Sequence, residues 1–252
     1  MRQSTLAPPG SRSRRRRITQ RQTTPNQQTP LWRSPLLWLG IALIIIIGAI
    51  PIIEWYRTVQ VIAILASDVS QSALADPTIG YHICRNQTQS LKPNDIAIDL
   101  FFADTTEPTR SSAVENVTQL FARCNVFKSN QPHPNTVGQG TGTSPIVLMD
   151  RILCQIDIQR TAGNDYPIAA IIWLQAAEPG PGLPALDFTI LGSQINQITK
   201  QKGHVTIIGP TGTLRQELDD LSAQNPNLRI CSVAEHQSCI RQTFERARQT
   251  QS

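Results

Sequence analysis

Asp68, Ser70 and Ser72 occupy alternate positions directly after an apolar run, Val59 to Ala66, in the order Asp68-Val69-Ser70-Gln71-Ser72. One carboxylate and two hydroxyls at the carboxyl end of a strand are hard oxygen donors, suited to a small divalent cation. In an open α/β sheet, ligands gather where strands end and loops begin, so the position itself invites a site. A local reading competes: an Asp or Ser opening a helix accepts from free backbone N–H groups and needs no metal to explain it.

Other chemistry finds less support. Gly209-Pro-Thr-Gly-Thr213 lies between a strand and a helix pattern but lacks the Gly-Lys-Ser/Thr ending of a phosphate loop, and reads as a turn capped by Thr213. His82, His133, His204 and His236 are scattered, without i, i+4 pairing or a nearby Cys, and no Gly-x-Ser-x-Gly elbow occurs. A phosphatase-like enzyme with Asp68 as nucleophile is an alternative reading, but no general base or phosphate-clamping cation stands beside the motif. Catalytic residues are accordingly expected to be none, and no small-molecule substrate is expected.

The elements that must position Asp68 read as an α/β domain over residues 57–249. Strands are expected at Val59–Ala66, Asp95–Phe102, Val126–Lys128, Ile168–Leu174, His204–Ile208 and Leu228–Val233. Helices are expected near Ser72–Leu91, Ser111–Cys124, Pro145–Ile156, Asp187–Lys202, Thr213–Ala223 and Ser238–Gln249. Runs such as Ile168-Ala-Ala-Ile-Ile-Trp-Leu174 are apolar at consecutive positions, as strands covered on both faces are. Alternation of this kind predicts a doubly wound, mostly parallel six-stranded sheet with helices on both faces.

Three segments resemble the von Willebrand factor A-type domain. Asp68-Val-Ser70-Gln-Ser72 matches that family's Asp-x-Ser-x-Ser; Leu91-Lys-Pro-Asn-Asp95 resembles its Leu-x-Pro-Gly-Asp turn into a second strand; and Gly138-Gln-Gly140-Thr141-Gly142-Thr143-Ser-Pro145 resembles its Gly-Gly-Thr loop. The resemblance extends over residues 57–252. It implies an adhesion-type site in which Asp68, Ser70, Ser72 and Thr143 hold Mg²⁺ or Mn²⁺, with Thr141 and Glu178 as further candidates, while an acidic group of a partner protein completes the coordination. One position departs from the family: where it carries an Asp after the fourth strand, this chain reads Gln175-Ala176-Ala177-Glu178. A lost carboxylate weakens the charge set, so a metal-free scaffold within a membrane assembly stands beside the metal-dependent binding module.

The chain of 252 residues carries a net charge of +5, but eight Arg and no Asp or Glu fall within residues 1–33. That leaves 15 basic against 18 acidic residues in the remainder, a net −3, without the basic face a nucleic-acid binder needs. Residues 1–33 are too polar to bury a core, and disorder is expected there. Pro35 to Ile53 is free of charge and contains Ile44-Ile45-Ile46-Ile47; as a helix its 19 residues would span about 28 Å, matching a bilayer's hydrocarbon core. A transmembrane helix over 34–56 is therefore expected, with Trp32, Trp38, Trp55 and Tyr56 near its ends. A cleaved signal peptide and a buried core helix are the rivals, disfavoured by the length of the run and the absence of a polar face. The Arg excess before the span places the amino terminus in the cytoplasm and residues 57–252 outside, in a single-pass protein.

Five cysteines, Cys84, Cys124, Cys154, Cys231 and Cys239, are widely spaced and fit no zinc pattern. Outside the cytoplasm disulfides are permitted, with Cys231 and Cys239 the nearest pair, although buried free thiols fit the apolar surroundings equally well. Asn86-Gln-Thr88 and Asn116-Val-Thr118 fit the glycosylation pattern.

Overall fold

The computed structural model describes residues 38–40, 43, 59–70, 73, 75–103, 110–114, 120–128, 142–178, 180 and 185–250, with the backbone alone for 110–113. The chain divides into two units, Met1–Tyr56 and Arg57–Ser252. In the first, Trp38, Leu39, Gly40 and Leu43 are helical, and Trp38, Leu39 and Leu43 are exposed. The rest of the expected tail and transmembrane helix lies outside the described residues. Among the described residues no helix is long and apolar enough to cross a membrane.

The second unit is an α/β domain. Its strands are β1 (Ile62–Asp68), β2 (Ile96–Phe102), β3 (Arg110–Ala113), β4 (Ile168–Trp173), β5 (Gly203–Ile208) and β6 (Leu228–Cys231). Helices α1 (Pro77–Gln89), α2 (Pro145–Thr161), α3 (Phe188–Lys200), α4 (Gly212–Gln224) and α5 (His236–Gln249) surround them. The sheet order is β3-β2-β1-β4-β5-β6, a doubly wound order in which only β3 pairs antiparallel.

Side chains alternate across the sheet, as the pleat requires. Ile62, Ile64 and Ala66 join α2, α3 and α4 through Leu148, Ile152, Ile195 and Leu218 in one core. Ala63 and Leu65 join α1 and α5 through Ile83, Ile240 and Phe244 in the other. Every residue of β1 and β4 is buried, which accounts for the unbroken apolar runs Ile62–Ala66 and Ile168–Trp173.

Two sequence expectations are corrected. The segment read as a third strand, Val126–Lys128, instead ends a 3₁₀ helix, Ala122–Phe127, with Lys128 as its cap, and the segment read as a helix, Ser111–Cys124, opens with the last three residues of β3, although Leu120 and Phe121 are helical. The expected strict alternation of strands and helices therefore fails at β3, which follows β2 as its antiparallel neighbour. A disulfide ties Cys124 to Cys84 on α1, and the Phe127 ring packs edge-on against Trp173 with centroids 5.4 Å apart. These contacts fold the short apolar run against α1. β3 owes its strand state to backbone pairing with Ile96–Asp99, which demands no apolar pattern.

The cysteine question resolves likewise. Cys84–Cys124 and Cys231–Cys239 are disulfides, and Cys154 is an exposed free thiol. The Asn86 sequon lies within α1: its amide hydrogen-bonds the His236 ring at 2.7 Å, and buried Thr88 donates to the Cys84 carbonyl at 2.9 Å. Asn116 lies outside the described residues.

Candidate metal centre

β1 and β4 are adjacent, yet the chain leaves them toward helices on opposite faces, so a crevice opens at their carboxyl ends. Asp68, the last residue of β1, sits in it fully buried. Ladder pairing carries on just past it, with the Val69 N–H donating to the Phe102 carbonyl at 2.9 Å. The chain then turns: Asp68 Oδ1 accepts the Ser70 N–H at 2.8 Å, and Ser70 Oγ accepts the Ala73 N–H at 3.5 Å. Local turn hydrogen bonds of the capping type are therefore present, although the N-cap of α1 is Asp76, whose side chain accepts the Ile79 N–H.

Capping does not account for the rest of the carboxylate's surroundings. Thr143, 75 positions along the chain, donates from Oγ1 to Asp68 Oδ2 at 3.4 Å. Its backbone is held by an N–H donated to the Glu178 carbonyl at 2.7 Å, while the Ser144 N–H donates to the Ala103 carbonyl at 3.0 Å. Pro145 then opens α2, where a missing N–H costs nothing. The Gln175 N–H also donates to Asp68. Segments following β1 and β4 and the lead-in to α2 thus converge on one carboxylate, with Ala103 after β2 holding that lead-in.

Burial pushes the Asp68 carboxyl up from 3.8 to about 6, against the hydrogen bonds from Ser70, Thr143 and the Gln175 backbone that favour its charged form. Among the described residues no Lys, Arg or His pairs with it. A divalent cation would supply that missing charge, and the Asp68 carboxylate with the Ser70 and Thr143 hydroxyls is an all-oxygen set of the kind Mg²⁺ and Mn²⁺ accept. The residues present fit such an ion. Among the described residues no three His, Cys, Asp or Glu side chains form a metal-binding group, so the candidate rests on this single carboxylate with its hydroxyls.

Of the expected ligands, the structure brings Asp68, Ser70 and Thr143 together; Ser72 and Thr141 lie outside the described residues. Glu178 is exposed, and its carbonyl positions Thr143. The turn after β5 is corrected in detail: Thr211, not Thr213, is the N-cap of α4, and its hydroxyl donates to the Gln175 carbonyl at 3.3 Å. The Gln175 N–H and the Glu178 carbonyl escaped sequence reasoning because they are backbone groups, available from any non-proline residue and visible only when the loops meet.

No protein-family model and no curated protein sequence matches the chain. Among solved structures it is similar to a von Willebrand factor type A protein from Catenulispora acidiphila, at 10% identity and a TM-score of 0.46, over 75% of this chain and 43% of that one. It is also similar to the manganese-loaded TRAP protein of Plasmodium vivax, at 14% identity and a TM-score of 0.46, over 73% of each chain. A third, the pilus adhesin SpaC from Lactobacillus rhamnosus GG, shares 11% identity at a TM-score of 0.48, over 76% of this chain and 31% of that one. The chain spans less than half the length of two of these three proteins.

Proposed function

We propose that the chain is a membrane-anchored, non-enzymatic binding module whose β1–β4 crevice holds Mg²⁺ or Mn²⁺ and captures an acidic group of a partner protein. The observation that carries this reading is Asp68: a fully buried carboxylate at the switch point, ringed by hydroxyls and backbone N–H groups, with no cationic side chain paired to it among the described residues. Asp68, Ser70 and Thr143 hold the ion, and Ser72 and Thr141 are the further hydroxyls the sequence offers. The bound ion presents positive charge toward the partner's carboxylate, and Mg²⁺, which keeps several waters, leaves positions to exchange for it.

Calorimetric titration of Mg²⁺ and Mn²⁺ into the detergent-solubilised full chain, beside the Asp68→Ala variant, tests the site. Saturable heat that disappears in the variant is the expected result; a folded wild-type chain that takes up neither ion sinks the proposal.

A metal-free scaffold is the second reading, favoured by one feature: Gln175 stands where a further carboxylate would serve an ion, and Glu178 contributes a carbonyl to the crevice. On that reading Asp68→Asn leaves partner binding intact.

For location, residues 1–56 carry the cytoplasmic tail and anchor, and residues 57–252 face away from the cytoplasm. The Arg asymmetry about residues 35–53 and the two disulfides support this orientation. A membrane-impermeant maleimide applied to intact cells should label exposed Cys154; labelling only after lysis would reverse the topology.

A further inference from the structure

Tyr81 is the meeting point of two cations. Lys128 Nζ lies 4.2 Å from the centroid of its ring, and Arg85 follows Tyr81 by four residues in α1, on the same helix face. His82 adds a ring whose centroid is 5.9 Å from that of Tyr81. Lys128, Arg85 and His82 are exposed and Tyr81 is half-buried. Hydrogen bonding by Lys128, then its charge and that of Arg85, hold the Tyr81 hydroxyl below its ordinary value.

Elsewhere on the domain three surface cations meet carboxylates: Lys202 with Asp165, Arg215 with Asp219, Arg241 with Glu245. Among the described residues neither Arg85 nor Lys128 has a carboxylate partner. The sequence repeats the point, for the chain from Asn116 to Met149 contains no Asp or Glu, and from Val69 to Asn94 its one carboxylate is Asp76, the N-cap of α1. Two like charges flanking one phenol, in a chain whose residues after 33 carry a net −3, repel each other, and an anion placed between them would relieve the repulsion.

The core fixes where this patch sits. A Cβ at Gly80 would meet Phe127 and Trp173 at 2.6 Å, so the backbone beside Tyr81 is pressed onto the Trp173 ring, and Phe127, beside Lys128, packs edge-on against the same ring. Trp173 pairs in register with Ser67, the residue before Asp68. Tyr81 and Lys128 are thus carried on backbone packed at the level of the crevice, on its α1 side.

The geometry points to a second recognition surface, formed by Tyr81, His82, Arg85 and Lys128, that docks the carboxylates of an acidic polypeptide segment beside the cation site. For the partner's identity as an acidic protein this rests on the reading above, but the patch acts without the metal. An exposed surface of two cations and two rings suits an extended acidic segment, with the rings covering its apolar stems.

The test is fluorescence anisotropy of a labelled hexaglutamate peptide against the full chain in detergent with EDTA present, at low ionic strength and again at high salt. Binding that weakens at least about tenfold at high salt, and at least about tenfold in the Arg85→Glu/Lys128→Glu double variant but not in the exposed control Lys200→Glu, is expected. Failure of the wild-type chain to bind, equal binding by the double variant, or equal loss in Lys200→Glu would overturn the proposal. So would competition by free sulfate or phosphate as effective as by the peptide, which would make the patch a small-anion site. Because EDTA removes divalent ions, Asp68→Ala should bind hexaglutamate like the wild type, and the double variant should keep its calorimetric Mg²⁺ response. Loss of the metal reading and loss of the patch therefore register in different experiments.

Discussion

Arg248 grips Asp95 with both ends of its guanidinium, Nη1 to Oδ1 at 3.0 Å and Nη2 to Oδ2 at 2.7 Å, and Nη1 also donates to the Val59 carbonyl at 2.6 Å. Asp95 in turn accepts the Val61 N–H at 3.1 Å and the Lys92 N–H at 2.7 Å. The pair fastens α5, the turn before β2 and the chain entering β1 into one joint. Asn94 makes the turn possible with a φ of 71°, a conformation that Asn tolerates and most residues do not.

Removing one partner of this joint strands a charge, since Asp95 is 1% exposed. Arg248→Ala should cost about 3–5 kcal/mol in urea unfolding monitored by circular dichroism. Arg248→Lys keeps the charge but loses the fork and should recover only part of that stability. A loss under about 1 kcal/mol in Arg248→Ala would show that the joint is not structural.

Asp68 makes a prediction with a definite sign. Its folded-state carboxyl titrates near 6 against an ordinary 3.8, so between those values the folded chain holds more protons than the unfolded chain. Without divalent ions, ionising Asp68 should remove about 3 kcal/mol of stability as pH rises from about 4 to about 6. Asp68→Asn should lack this component and, in EDTA at neutral pH, melt above the wild type. Added Mg²⁺ should raise the melting temperature of the wild type alone. Identical pH profiles for the two chains would contradict the assignment.

Placing a carboxylate just after β4 tests the crevice from the other side. Gln175→Asp should raise Mg²⁺ affinity at least about tenfold by calorimetry, since ligand charge sets affinity at such sites. In EDTA the same variant should be less stable than the wild type, because two carboxylates would then share the crevice without a cation.

Gly80 sets two effects against each other. Alanine within a helix gains up to about 1 kcal/mol over glycine, but at Gly80, the fourth residue of α1, the added methyl would lie 2.6 Å from the Phe127 and Trp173 rings, both buried. Overpacking of this kind costs about 1–3 kcal/mol, and neither ring has solvent to retreat into. Gly80→Ala should therefore lower the thermal midpoint; a rise would mean that α1 shifts without penalty.

Much of the fold was legible because central parallel strands are covered on both faces and so keep their apolar character whatever they pack against. Among the described residues β1, β2, β4, β5 and β6 and helices α1 to α5 all fall close to the expected segments. The edge misled, since Arg110–Ala113 is a strand only by virtue of β2 beside it, and Val126-Phe127 looked like a strand but answered to Cys84 and Trp173.

Sequence alone determined the apolar strands, the helices between them, and the chemical type of the candidate ligands, because composition and periodicity reflect how each segment meets water. Tertiary structure decided which groups meet: that Thr143 reaches Asp68 from 75 positions away, that Gln175 and Glu178 serve through their backbones, and that Lys128 reaches the Tyr81 ring. Side-chain identities along the chain carry no record of distance across it, and the burial that pushes the Asp68 carboxyl up to about 6 exists only once the loops have closed over the ends of β1 and β4.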